Sequence, residues 1–229
     1  MKKNLVTLMT ILGLISCDKE TVSENEQTVQ NRKYIEIESV INTAGISDSS
    51  ELKGKLFYSL TNEYTKNYGT PNSIQELTDQ VKYISDNWKN KGQELVTTEV
   101  NPEYIKSIML NPNEKLVHIL EKSSINKEVK RSLIELIENL IDVSGQDYKK
   151  ISDFLASYEA LVKENTVLTD KDKEIIVNVA VISNYALYAE SGRKDRDWET
   201  SVANKKGHSF FNPNQAPLIT LIALLDRLI

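Results

Sequence analysis

Apolar residues recur three and four positions apart along almost all of this 229-residue chain, and that spacing restricts it to helices packing on helices. The clearest stripe is Ile74, Leu77, Val81, Ile84 and Trp88, an alternation of three and four that lays one apolar face along a helix. Ser73 and Glu76 have capping-box spacing at its start, and Gly92 lies just past its expected end. Before it, Leu52, Leu56, Leu60 and Tyr64 line a helix that stops near Gly69, and Tyr34, Ile37, Ile41 and Ala44 line another closed by Gly45.

The second half reads the same way. Asn101-Pro102 and Asn111-Pro112 each set a capping residue before a proline suited to the first helical position. They open two short helices, reaching Leu110 and Lys122. Val129, Leu133, Leu136, Ile137, Leu140 and Ile141 mark a longer helix between Asn126 and Gly145, and Tyr148, Ile151, Leu155, Tyr158 and Val162 mark the next. Thr169-Asp170-Lys171-Asp172 then caps a helix over 173–190. Its residues Ile175, Ile176, Val177, Val179, Ala180, Val181 and Ile182 leave no polar face except Asn178. A helix apolar all round is expected at the centre of its bundle. The last helix, over 218–229, follows Asn212-Pro213 and Pro217.

Eight glycines and five prolines are too few for a turn-rich β fold, and no repeat of fixed period is present. Only 93–100, Gln-Glu-Leu-Val-Thr-Thr-Glu-Val, has strand character, and it is read as an extended connector. The expected fold is therefore all-α, a multi-helix bundle or orthogonal array. It forms one domain over 33–229, with a subregion break near 92–101.

The first 32 residues follow a different grammar. Lys2 and Lys3 precede an apolar run from Leu5 to Ile15, and small Ser16 follows it; this is the layout of an export signal over 1–16. The run is too short to span a bilayer, which takes about 20 residues. Directly after it stands Cys17, the chain's single cysteine. Leu14-Ile15-Ser16-Cys17 resembles a lipobox, the cleavage and lipidation signal of bacterial lipoproteins. Leu14 and Ser16 match its pattern, and Ile15 is less usual at its position. The resemblance covers about 20 residues. It implies a bacterial source, a diacylglycerol on the Cys17 thiol and usually a further acyl chain on the new amine. Each buried methylene contributes about 0.8 kcal/mol, so two or three chains anchor stably where one does not. The other reading of these residues is an ordinary secreted protein with one free thiol. A lone cysteine also rules out an internal disulfide, leaving stability to the core.

Residues 17–32 continue as an acidic stretch with almost nothing to bury, Asp18-Lys19-Glu20-Thr21-Val22-Ser23-Glu24-Asn25-Glu26-Gln27, expected to be a flexible tether. Acidic residues after the lipidated cysteine resemble the surface-export signal of Bacteroidota lipoproteins, whereas Asp directly after it resembles an inner-membrane retention signal of enterobacteria. The acidity over several positions favours the outer membrane, on its periplasmic or surface face. Losing Lys2 and Lys3 with the leader takes the net charge from −5 to −7. With no basic run, nucleic acid is an unsuitable partner.

No catalytic constellation is discernible. His118 and His208 are the only histidines, the first between Val117 and Ile119 and the second in a polar stretch, and structural or solvated roles suit both. Asp170, Asp172 and Glu174, like Asp195, Asp197 and Glu199, alternate as in a calcium loop but lack its glycine and distal glutamate. The first set is better read as acids complementing the positive end of a helix. Gly-rich phosphate loops, nucleophile elbows and His-Glu-x-x-His are absent, and no cofactor is expected.

One segment stands out: Arg193-Lys194-Asp195-Arg196-Asp197-Trp198-Glu199-Thr200, then a Gly/Asn/Lys-rich stretch and Phe210-Phe211. Arg193, Arg196, Trp198, Phe210 and Phe211 are candidate partner-binding residues, since Trp and Arg dominate interface hot spots. The structural alternative is that the aromatics pin an irregular loop onto the bundle. The acidic cap at Thr169, the apolar helix ending in Tyr185 and Tyr188, and then Trp198 are similar to uncharacterised helical lipoproteins of Bacteroidota over about the last 60 residues, a likeness that implies no activity. The expectation is a lipid-anchored, non-catalytic envelope protein that binds a protein partner or serves a structural role. The alternative is an interbacterial immunity or toxin-related lipoprotein that uses its apolar C-terminal helix against a toxin or a bilayer.

Overall fold

The computed structural model describes residues 46–88, 99–143, 146–200 and 211–229, with side chains for all of these except 46–48, 192–200 and 213. The leader, Cys17, the acidic tether and the helix expected at 34–44 lie outside the described residues, as do Gly92, most of the 93–100 connector, Gly145, His208 and Phe210. The chain is all-α: among the described residues there are eight α-helices and no strand.

The helices are α1 (Ile46–Tyr68), α2 (Ile74–Asn87), α3 (Pro102–Leu110), α4 (Pro112–Lys122), α5 (Lys127–Val143), α6 (Tyr148–Glu164), α7 (Asp170–Thr200) and α8 (Ala216–Leu228). A 3-10 turn, Pro213–Gln215, leads into the last. The cap signals act where the sequence puts them. Ser73 accepts from the Glu76 amide, Asn101 from the Tyr104 amide at 2.8 Å and Asn126 from the Val129 amide at 2.9 Å. The Glu76 carboxylate reaches back to the Asn72 amide rather than to Ser73. Thr169 and Asp172 satisfy each other: the Thr169 hydroxyl accepts from the Asp172 amide, while Asp172 accepts from the Thr169 amide and hydroxyl.

Three boundaries differ from the sequence reading. α2 ends at Asn87, capped by Trp88, before the glycine expected to stop it. α7 does not stop at Glu190 but runs to Thr200. Arg, Lys, Asp and Glu in 193–199 are tolerable helix residues, and one interior glycine, Gly192, costs only about 1 kcal/mol. Asn111 closes α3 with its own amide on the Ser107 carbonyl at 3.2 Å, and its side chain caps nothing in α4. Serving two helices at once, it takes ψ 67° instead of the 168° of Asn101.

Two helices organise the packing. α7 contacts α1, α5, α6 and α8, and its pairing with α1 is the most extensive among the described elements. As expected of a helix apolar all round, its residues 176–183 are buried in succession. The Ser50 hydroxyl donates to the buried Asn178 amide oxygen at 2.7 Å, so the polar interruption is satisfied inside the α1–α7 contact. Gly54 makes that contact close: a Cβ there would sit 2.4 Å from Tyr185 Cδ2 and 2.8 Å from Val181 Cγ1. α8 is the second hub, against α2, α3, α4 and α7, with Leu218–Leu225 all buried. In this fold that helix belongs to the core.

Candidate functional site

Where α1, α2, α7 and α8 converge, a partly open cleft of about 60 Å³ remains. Its α1 wall is Phe57, Thr61, Asn62 and Thr65, residues that one helical face brings together. α7 contributes Ala186 and Ala189, whose small side chains leave the space unfilled, and Glu190. The first turn of α8 supplies Ala216, Pro217 and Thr220, and α2 supplies Gln80. Thr70 and Pro71 close one end, placed there by the turn at Gly69, whose φ of +89° favours glycine.

The polar groups of this cleft include both donors and acceptors. The Thr61 and Thr65 hydroxyls donate to the Phe57 and Thr61 carbonyls, each at 2.9 Å, which leaves only lone pairs for anything else. Gln80, Glu190 and Thr220 are buried although polar, at 5%, 8% and 3% exposure. The Thr220 hydroxyl has no hydrogen-bond partner among the described residues. No Lys, Arg or His belongs to the described walls.

A second concentration of side chains lies on the α1–α6–α7 side. Tyr188 packs against Tyr58 and Tyr148, with ring centroids 5.7 and 5.4 Å apart, and Tyr185 stands 6.1 Å from Tyr58. The Tyr185 hydroxyl donates to Glu51 at 2.5 Å and that of Tyr148 to Asn184 at 3.0 Å. Burial first, then the Glu51 carboxylate, pushes the Tyr185 hydroxyl well above the usual tyrosine range. Glu159 nearby is raised by burial and by Glu51, against the lowering effect of Lys163. The cluster reads as a polar-edged seam between helices.

The segment singled out from sequence is only partly brought into view. Arg193, Arg196 and Trp198 ride on the last turns of α7, with side chains outside the description, and Phe210 lies outside it altogether. Phe211 is buried at 6% exposure and belongs to the core. His118 is exposed. Asp172 serves the α7 N-terminus and also accepts from Asn126 at 2.6 Å, tying the starts of α5 and α7 together. Its hydrogen bonds with Thr169 hold its carboxyl below the usual range. Among the described residues no group of His, Cys, Asp and Glu could hold a metal ion, and no helix is long and apolar enough to cross a membrane.

The cleft itself escaped sequence reasoning. Its residues come from four helices between positions 57 and 220, and alanine and threonine at helical spacing carry no signal of a hollow. Comparison with family models, with curated proteins and with solved structures gives no match. The fold and the site thus define the chain as an all-α helical domain, and its function rests on its own residues.

Proposed function

We propose that this is a lipid-anchored protein of the bacterial cell envelope, non-catalytic, whose helical domain holds a partner or serves a structural role at the membrane. The observation that carries the reading is Cys17, the single cysteine, at the end of a basic-then-apolar leader and before an acidic stretch. A thioether-linked diacylglycerol there supplies the attachment that none of the described helices has the length and apolarity to supply. The outer membrane is the favoured address, because the acidic residues continue from Asp18 through Glu26.

Burial of Leu218–Leu225 favours this reading over the toxin-directed one, since exposing that helix would dismantle the core. The test is fractionation of cells producing the wild type and Cys17→Ser. Wild type in the membrane fraction with the variant released supports the anchor; equal membrane retention of both refutes it.

A further inference from the structure

We infer that the α1–α2–α7–α8 cleft is a binding site for a neutral carboxamide group. Its walls set the charge of what fits. Glu190, the one charged side chain among the described walls, is 8% exposed and already has an interaction of its own, so its charge is not left over for a cation. No Lys, Arg or His stands in those walls to hold an anion. The other polar side chains, Thr61, Asn62, Thr65, Thr70, Gln80 and Thr220, are all uncharged. They suit a neutral ligand.

Gln80 is the anchor. It lines the cleft from α2 at 5% exposure, and its amide makes no hydrogen bond to another described residue. A buried amide without partners is costly, and a ligand that pairs with it removes that cost. Gln80 offers a carbonyl oxygen and an amide nitrogen side by side, so its match both donates and accepts at the same spacing. A carboxamide does this by closing two parallel hydrogen bonds; a ketone only accepts, and a hydroxyl has one oxygen for both tasks. The threonines extend the mixed pattern. Thr61 and Thr65 have given their protons to the carbonyls four residues back and present lone pairs. Thr220, 3% exposed, makes no such bond, and its hydroxyl has no partner among the described residues. Phe57, Pro71, Ala186, Ala189 and Pro217 supply apolar surface for an alkyl stem. A water-sized probe fills about 10–15 Å³, so the cleft's roughly 60 Å³ takes about four to six non-hydrogen atoms, a carboxamide with its first carbons. Asn62 and Thr70 stand exposed at the rim, where the rest of a longer molecule would lie. A small aliphatic amide and a glutamine or asparagine side chain of a polypeptide present the same group. The inference is independent of the lipid anchor and survives its failure.

The test is an NMR titration of the isotopically labelled full chain, in detergent, with propionamide and three analogues of the same size. Butanone accepts without donating, propionate is an anion and n-butylammonium is a cation. Saturable shifts at cleft residues are expected, with propionamide at least about tenfold tighter than each analogue. Gln80→Met, which keeps the length and removes the amide, should bring propionamide down to the level of butanone. Ala189→Leu, which fills the cleft, should abolish binding altogether. The tripeptide Gly-Gln-Gly separates the sources: tighter binding than propionamide points to a polypeptide side chain, equal or weaker binding to a small amide. No saturable binding of propionamide, an analogue that binds as tightly, or a folded Gln80→Met that binds it like the wild type overturns the proposal. The comparison among ligands needs no variant, so it decides the matter even if Gln80→Met unfolds.

Discussion

Gly54→Ala sets two known effects against each other at one position. In an exposed helix interior the substitution is stabilising, because alanine is better than glycine by about 1 kcal/mol. Gly54, however, is buried between α1 and α7, and the new methyl would lie 2.4 Å from Tyr185 Cδ2, 2.8 Å from Val181 Cγ1 and 2.9 Å from Tyr185 Cε2. Carbon atoms in contact prefer about 3.5–4.0 Å, so the overlap approaches an ångström against two residues. Neither neighbour yields easily. Val181 is β-branched and strongly prefers one rotamer in a helix, while the Tyr185 ring is held by its hydroxyl on Glu51 and by Tyr58 beside it. Relief requires the two helices to separate, and overpacking of this kind costs about 1–3 kcal/mol. With two residues overlapped the upper part of that range applies, about 2–3 kcal/mol, and subtracting the propensity gain leaves a net loss of about 1–2 kcal/mol. A domain of this size should then lose roughly 2–8 °C in Tm, read by circular dichroism at 222 nm. A variant as stable as the wild type, or more so, would show that α1 and α7 do not approach as described.

Further outcomes follow from the same geometry. Leu221→Ala, at a fully buried site on α8, should cost about 2–5 kcal/mol in urea denaturation, whereas Leu161→Ala, 67% exposed, should stay within about 0.5 kcal/mol; equal effects would mean α8 is not core. Gly69→Ala should lose about 1 kcal/mol, from the positive φ alone, since nothing lies within 4 Å of its Cβ. Ser50→Ala should cost about 1–3 kcal/mol by leaving the Asn178 amide oxygen without its donor. The Tyr158 hydroxyl, which donates to the Ser132 carbonyl at 2.7 Å, is pushed up to about 12 by burial. Because the unfolded chain ionises first, stability should fall as pH rises from about 10 towards 12, and Tyr158→Phe should lessen that fall in alkaline denaturation curves. Asp172 has the opposite sense: its lowered carboxyl contributes above the ordinary aspartate range, and that contribution is lost as pH falls through its folded value. Thr169→Ala should therefore destabilise at neutral pH and make little difference in strong acid.

Much of the architecture can be read from particular residues. Ile74, Leu77, Val81 and Ile84 form the buried stripe of α2 apart from half-buried Ile74, and Asn101 and Asn126 cap where their side chains predict. The central place of α7 follows from a run with no polar face but Asn178, a residue that Ser50 satisfies. Periodicity does not reveal which glycine marks a close approach. Gly54 looks like an ordinary weak spot in a helix until Tyr185, 131 positions later, is laid against it. Local signals mislead where one residue serves two elements, as Asn111 does, or where charged residues carry a helix past a glycine, as α7 does past Gly192. The paired aromatics at 210–211 suggest a common role, yet burial of Phe211 depends on long-range packing that adjacency does not encode. The cleft is a shortage of volume rather than a motif, created by Ala186, Ala189 and Ala216 opposite threonines.

The anchor is tested most directly by mass spectrometry of the protein recovered from membranes. The account predicts an amino-terminal Cys17 carrying diacylglycerol on sulfur, with or without a further acyl chain on nitrogen. A mature terminus at any other residue, or an unmodified Cys17 thiol, would contradict it.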